Sequence, residues 1–169
     1  MAKLKTALII ATMAVAVAGC QKKRPETLPP GPGPVDPGPG PGPGGGMAQP
    51  GTPEHFRQNV ISDTINFGFD QYDIDARARQ ILDSQAQWLM QFPNTRITIE
   101  GHCDERGTRE YNLALGDRRA NAAKNYLAAR GVSPARITTI SYGKERPIAL
   151  GSDEASWAQN RRAVTIVLN

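Results

Sequence analysis

The 169-residue sequence has few of the residues from which metal centres, disulfide frameworks and catalytic sites are built. It contains 2 cysteines, 2 histidines and only 6% aromatic residues. Two cysteines cannot form the several bridges of a disulfide-stabilised scaffold. No apolar run reaches the roughly 20 residues of a membrane-spanning helix, no segment recurs with a period of about 20 to 50 residues, and no serine lies in a G-x-S-x-G turn. These absences argue against a transmembrane helix, a repeat array and a serine hydrolase.

An excess of charge of one sign is also lacking. From Glu54 to the last residue, 15 Lys and Arg face 14 Asp and Glu, so this region has a formal charge of +1. A nucleic-acid surface needs a concentrated basic patch. We therefore expect no nucleic-acid partner.

The amino-terminal segment has the composition of a secretory signal. Lys3 and Lys5 precede an uncharged apolar run over residues 7–18, which is too short to span a bilayer. The run ends in Val17-Ala18-Gly19-Cys20, which resembles the lipobox of bacterial lipoproteins. The alternative is an ordinary cleaved signal followed by a chance cysteine.

The lipobox resemblance implies that residues 1–19 are removed and that Cys20 carries a covalent lipid, with no cofactor besides. Acyl chains at ~0.8 kcal/mol per buried methylene would make a nearly permanent anchor. Residue 21 is glutamine and not aspartate, which by the sorting rule of such lipoproteins implies the outer membrane, with the domain facing the periplasm. Cys103 then has no disulfide partner, and we expect a buried thiol that packs as a small apolar residue.

A Pro/Gly-rich tract separates the signal from the rest of the chain. Residues 25–53 contain no stretch with an apolar face, so they cannot bury enough surface to fold. We expect residues 20–53 to form a lipid-anchored tether. The remaining residues, 54–169, are enough for one domain with its own core.

Residue periodicity predicts four strands and three helices in this domain. The strands are expected over residues 60–69, 95–100, 136–142 and 163–168. The helices are expected over residues 76–92, 110–130 and 152–159, the first capped by Asp75 and the second ended by Gly131. This order fits an α/β (α+β) sandwich with the helices packed on one face of the sheet.

The densest polar segment, residues 101–109, lies between a predicted strand and the long predicted helix, where binding and catalytic residues concentrate. A metal site made from His102 to Glu105 is disfavoured, because adjacent side chains leaving a strand point to opposite faces. Asp104 and Glu105 are a candidate acid–base pair, but no nucleophile accompanies them. Ligand recognition is the remaining interpretation.

Arg119 lies on the long helix, at the edge of the apolar stripe of Leu115, Ala123 and Leu127. A guanidinium at an apolar margin should have an anionic partner, because desolvating it unpaired is costly. Asp104 lies in the loop that leads into this helix. The pair can flank a pocket for a zwitterion, with Asp104 for an ammonium and Arg119 for a carboxylate, or it can form an internal salt bridge. The residues alone leave both open.

Several motifs resemble OmpA-like peptidoglycan-binding domains. One is the helix pattern Asn112-x-x-Leu115-x-x-x-Arg119-Ala120-x-x-Ala123-x-x-x-Leu127, and the others are Gly101-His102-x-Asp104 and Asn160-Arg161-Arg162. Two further motifs are similar to a narrower group in that family, the lipid-anchored members that work with the Tol proteins: Phe67-Gly68-Phe69-Asp70-x-Tyr72 and Asp104-Glu105-Arg106-Gly107-Thr108. The resemblance spans residues 60–168 and implies a mixed four-stranded sheet.

The ligand implied by this resemblance is the free end of meso-diaminopimelate in the stem peptide of peptidoglycan. Asp104 and Arg119 would be the principal contacts. The rim would be completed by Phe69, Asp70, Arg106, Thr108, Asn112 and Leu115, and Arg161 either supports the site or is structural. Such a protein is not an enzyme but links the outer membrane to the cell wall, in the Tol–Pal system of envelope integrity and cell division.

The resemblance also implies protein partners, namely TolB, a soluble periplasmic propeller protein, and other Tol proteins. We expect TolB to compete for the face that binds peptidoglycan. The alternative function is a structural lipoprotein whose domain binds periplasmic proteins, with Asp104–Arg119 as an internal salt bridge.

Overall fold

The structure, a computed structural model, describes residues 48–168. The predicted signal peptide, Cys20 and all but the last residues of the predicted tether lie outside this range. Within it, no helix is both long enough and apolar enough to cross a membrane.

A mixed four-stranded sheet forms the centre of the fold, as predicted. Its strands are β1 (Thr64–Asn66), β2 (Arg96–His102), β3 (Ile137–Gly143) and β4 (Arg162–Leu168), in the spatial order β1-β4-β2-β3. The last strand, β4, is antiparallel to both of its neighbours, whereas β2 and β3 are parallel. Because β2 lies between β3 and β4, its carboxyl end is held on both sides.

The first strand is much shorter than the predicted range of 60–69. Residues 53–59 form a helix, and Val60 is the residue that caps it. Directly after β1, Phe67 still donates its N–H to the carbonyl oxygen of Arg161. The chain then turns, with Asp70 in the left-handed region at φ +56°. Only three residues therefore remain in the strand.

Four α-helices accompany the sheet: α1 (Pro53–Asn59), α2 (Ala76–Gln91), α3 (Arg109–Ala129) and α4 (Glu154–Asn160); a 3-10 turn covers Pro134–Arg136. Helix α1 was not predicted, and its first residue lies within the predicted tether. Its start carries a recognisable signal, because Thr52 accepts a hydrogen bond from His55 N and proline follows at the first helical position.

The predicted start of α2 after Asp75 and the predicted end of α3 at Gly131 are confirmed. The Asp75 side chain accepts a hydrogen bond from Ala78 N at 2.7 Å. Gly131 has φ +99°, and Val132 N donates to Leu127 O, which is how a left-handed glycine closes a helix.

Helices and sheet bury one continuous apolar core. The predicted stripes of α2 and α3 contribute Leu82, Leu89 and Leu127, and β2 contributes Ile97 and Ile99, all essentially without exposed surface. Each such side chain stabilises the fold by roughly 1.5–3 kcal/mol. On the other face of the sheet, Ile140 and Ile166 are each 38% exposed. The helices therefore cover one face, as predicted.

Two glycines let α3 pack directly on the end of β2. A Cβ on Gly101 would lie 1.9 Å from the backbone oxygen of Gly116, so neither strand nor helix can move closer, and no side chain fits between them. This contact fixes the start of α3 beside the residues that leave β2, which is where the polar segment lies.

We expect Gly101→Ala to lower the free energy of unfolding by at least about 2 kcal/mol, because its Cβ would clash with backbone that cannot rotate away. Urea denaturation measures the loss. Gly68→Ala is the control, because its Cβ would meet only the flexible side chain of Gln71, and we expect it to cost less than about 1 kcal/mol. Equal losses in the two variants would contradict this description of the helix–strand contact.

Candidate functional site

A cavity of about 260 Å³ opens where β2 ends and α3 begins. It contains eight of the nine predicted contact residues: Phe69, Asp70, Asp104, Arg106, Asn112, Leu115, Arg119 and Arg161. The ninth, Thr108, does not line the cavity; its side chain accepts a hydrogen bond from Tyr111 N and caps α3. Cys103, Gly107 and Tyr111 also line the cavity and were not predicted. A larger groove of about 500 Å³, between β1, α2 and α4, contains none of the predicted residues.

Arg119 lies at the base of this cavity with 0% of its surface exposed. Its guanidinium donates to three main-chain carbonyls: Nε to Gln71 O at 2.8 Å, Nη1 to His102 O at 2.8 Å, and Nη2 to Gly68 O at 3.1 Å. Burial lowers the pKa of Arg119, although an arginine remains protonated at any physiological pH. The side chain therefore joins the 68–71 turn to the end of β2.

No carboxylate within the described residues forms a salt bridge with Arg119. The alternative prediction of an internal Asp104–Arg119 bridge is therefore wrong. The reason is local, because Arg106 lies two residues after Asp104 and reaches back to it. Arg106 Nη2 lies 2.6 Å from Asp104 Oδ2, and Arg106 Nε lies 3.1 Å from Oδ1.

Asp104 is thus a buried carboxylate with two cationic partners. Arg161 Nη1 lies 3.4 Å from its Oδ2, in addition to the pair of bonds from Arg106. Burial alone would raise the pKa of Asp104, but the side-chain and backbone hydrogen bonds from Arg106 outweigh it and lower that pKa. The carboxylate is consequently ionised at neutral pH, with both of its oxygens already bonded to Arg106.

The guanidinium of Arg106 contacts two aromatic rings. Its guanidinium carbon lies 4.3 Å from the ring centre of Phe69 and 4.0 Å from that of Trp157. Trp157 Nε1 donates to Glu105 Oε1 at 3.0 Å, and Glu154 Oε2 lies 4.0 Å from Arg106 Nη2. Trp157 and Glu154 were not predicted as site residues, because the sequence indicates α4 as a short helix but not where it packs.

The rim is built by side chains that also shape the backbone. Tyr111 donates a hydrogen bond to the carboxylate of Asp70, the one non-glycine residue with positive φ in the described range. The amide of Asn112 donates to Arg106 O and Thr108 O at 2.8 and 3.0 Å. Asp70 and Asn112 therefore fix the shape of the cavity as well as lining it.

Cys103 is a buried free thiol, as predicted. Its Sγ lies 3.3 Å from Asn112 O, to which it donates. Burial raises the pKa of this thiol, which keeps it protonated and weakly reactive. In residues 48–168, no group of three or more His, Cys, Asp or Glu side chains is arranged to hold a metal ion.

His102 is buried on the other side of the same strand end. Its ring stacks on Tyr142, and neither ring nitrogen has a hydrogen-bond partner among the described residues. Nε2 lies 3.4 Å from Glu100 Oε2, but not in hydrogen-bond geometry. Burial, assisted by the charges of Arg162 and Arg146, lowers the pKa of His102 to about 4. The histidine is therefore neutral near pH 7 while its carbonyl holds Arg119.

Comparison with known proteins gives a consistent set of relatives. Residues 66–161 match the model of the OmpA family. The chain is 50% identical over 161 residues to a peptidoglycan-associated lipoprotein of Agrobacterium fabrum, covering 95% of this chain and 86% of the relative. It is 52% identical over 155 residues to one of Brucella melitensis, covering 92% and 87%.

Solved structures agree with these sequence relatives. The crystal structure of the peptidoglycan-associated lipoprotein from Burkholderia pseudomallei matches with a TM-score of 0.62 and 47% identity, covering 63% of this chain and 91% of the other. The carboxy-terminal domain of Helicobacter pylori MotB matches with a TM-score of 0.58 at 22% identity, covering 63% and 86%. The second match concerns the fold alone.

We expect Arg119→Met to lower the free energy of unfolding by about 3 kcal/mol or more, because three carbonyls lose their donor together. Thermal or urea denaturation measures this loss. The neighbouring Arg118 is exposed, so Arg118→Met should change stability by no more than about 0.5 kcal/mol. A stable Arg119→Met protein would show that the three bonds do not hold the turn.

We expect stability to fall as the pH is lowered from about 6.5 to about 4, since the folded pKa of His102 lies below its unfolded value of 6.5. Between these values the unfolded chain binds the extra proton, and the loss reaches roughly 3 kcal/mol. The stability that ionised Asp104 contributes is lost only below pH 3.8, the ordinary pKa of this carboxyl group. His102→Phe should flatten the curve above pH 4 in urea denaturation, and an unchanged curve would contradict the assignment.

Proposed function

The chain belongs to the OmpA family, within its peptidoglycan-associated lipoproteins, and from this premise we propose that its domain binds peptidoglycan non-covalently. The ligand is the free end of meso-diaminopimelate in the stem peptide, which carries one ammonium and one carboxylate. Members of the family are structural proteins and not enzymes. The domain binds the wall and leaves it chemically unchanged.

The observation that carries this proposal is the uncompensated charge of Arg119. Its three partners are neutral carbonyls, and it lines the same cavity as the carboxylate of Asp104. A buried cation without a counter-ion has a large unmet interaction with any anion that reaches it. A ligand carboxylate takes that position, and its ammonium binds Asp104.

Two charge-assisted contacts at about 1.5–3 kcal/mol each give only modest affinity for one stem peptide. The proposed lipid on Cys20 and the tether over residues 20–53 compensate for this. They confine the domain between outer membrane and wall, where the local concentration of stem peptides is high. Weak single contacts then add up to a durable link between the two layers, which is the role in envelope integrity and cell division that we propose.

We also propose TolB, with other Tol proteins, as protein partners that use the same face. The support is the exposure of Phe69 and Tyr111 at the rim of the cavity, 62% and 44% respectively. Exposed aromatic side chains are frequent anchors of protein interfaces. A partner seated there would cover the cavity and exclude the stem peptide.

Titration of the purified protein with three stem peptides tests the proposal. The peptide ending in meso-diaminopimelate should bind saturably, and the lysine-type peptide, which lacks the second carboxylate, should bind at least about tenfold more weakly because Arg119 stays unpaired. A peptide ending in 2-aminopimelate lacks only the ammonium and should lose about as much. Calorimetry measures all three.

Asp104→Asn should weaken binding of the diaminopimelate peptide by at least about tenfold, and Asp117→Asn, an equal change at an exposed position of α3, should leave it unaltered. Equal binding of the diaminopimelate and lysine peptides would contradict the role of Arg119. Release of soluble fragments from purified peptidoglycan would contradict a purely binding function.

A further inference from the structure

Two acidic and two basic side chains form a network of ion pairs at the mouth of the cavity. Arg106 bonds Asp104 at 2.6 Å and lies 4.0 Å from Glu154. Arg161 bonds Glu154 at 2.6 Å and lies 3.4 Å from Asp104. Each guanidinium therefore lies near both carboxylates. Arg106 is closer to Asp104, and Arg161 is closer to Glu154.

Asp104 is occupied by Arg106 before any ligand arrives. An incoming ammonium must share or replace two hydrogen bonds of 3.1 and 2.6 Å between these side chains. If Arg106 had no other acceptor, ligand binding would leave one guanidinium without a counter-ion in a half-buried position, and part of the binding energy would be lost.

The surroundings of Arg106 allow it to change partner. Phe69 and Trp157 both contact its guanidinium, and such a contact with an aromatic ring does not determine which carboxylate the N–H groups bond. Glu154 Oε2 lies 4.0 Å from Arg106 Nη2, the same atom that bonds Asp104 Oδ2. A displacement of about 1 Å would bring this pair to ordinary bonding distance.

We propose that Glu154 is a positioning residue that accepts Arg106 when the ligand ammonium binds Asp104. The proposal rests on the proposed function, since it concerns the same cavity and ligand. Glu154 does not contact the ligand. Its two oxygens give both guanidiniums a carboxylate acceptor during the exchange, and Trp157 and Phe69 stay in contact with Arg106.

The test is Glu154→Gln, with binding of two stem peptides measured by calorimetry on the purified protein. The diaminopimelate peptide should bind about tenfold more weakly, since Arg106 and Arg161 both remain on Asp104. The 2-aminopimelate peptide has no ammonium and leaves Asp104 with Arg106, so its affinity should change by less than about twofold. Glu54→Gln is the control, because Glu54 also pairs with an arginine, at 2.8 Å, on the distant α1.

A double-mutant cycle gives a second test that uses only the diaminopimelate peptide. It does not require an affinity for the more weakly bound 2-aminopimelate peptide. In an Arg106→Gln background there is no cation to exchange, so adding Glu154→Gln should weaken binding of the diaminopimelate peptide less than about threefold. Equal loss for both peptides, no loss for either, or the full tenfold loss without Arg106 would overturn the exchange. Failure of the unaltered protein to bind either peptide would instead contradict the proposed function.

Discussion

The fold and the site both depend on the hydrogen bonds from Arg119 to three main-chain carbonyls. These bonds attach the 68–71 turn to the end of β2, and so hold Phe69 and Asp70 in the lining of the cavity. They also leave the guanidinium without an anionic partner. One side chain therefore provides the structural link and the unneutralised charge that a ligand carboxylate requires.

Around this fixed cation the other charged groups are arranged to be exchangeable. Asp104 is ionised and paired with Arg106, whose side chain is 32% exposed and contacts two aromatic rings. The difference between the fixed Arg119 and the exchangeable Arg106 has a physical origin. Arg119 is bonded to the backbone, which cannot follow a ligand, whereas Arg106 is bonded to side chains, which can change partners at little cost.

Local signals in the sequence were sufficient for much of the fold. The caps at Asp75 and Gly131 and the apolar stripe through Leu115, Ala123 and Leu127 depend on neighbours within one or two helical turns, and all appear as predicted. The three-residue β1 did not follow from its pattern, because its length is set by α1 on one side and by the turn at Asp70 on the other.

The site, like the fold, was predicted only in part from the sequence. Spacing and family resemblance placed Asp104 and Arg119 on one cavity. They did not reveal the carbonyls of Gly68 and Gln71 that bind Arg119, because these lie far from it in sequence, nor the Asp104–Arg106 bonds, because the geometry of that turn is not encoded in residue spacing. The decisive experiment is a crystal structure of the protein with a meso-diaminopimelate stem peptide. We expect the ligand carboxylate within hydrogen-bond distance of Arg119 and its ammonium on Asp104. A carboxylate bound only by Arg106, with Arg119 contacting nothing but its three carbonyls, would contradict it.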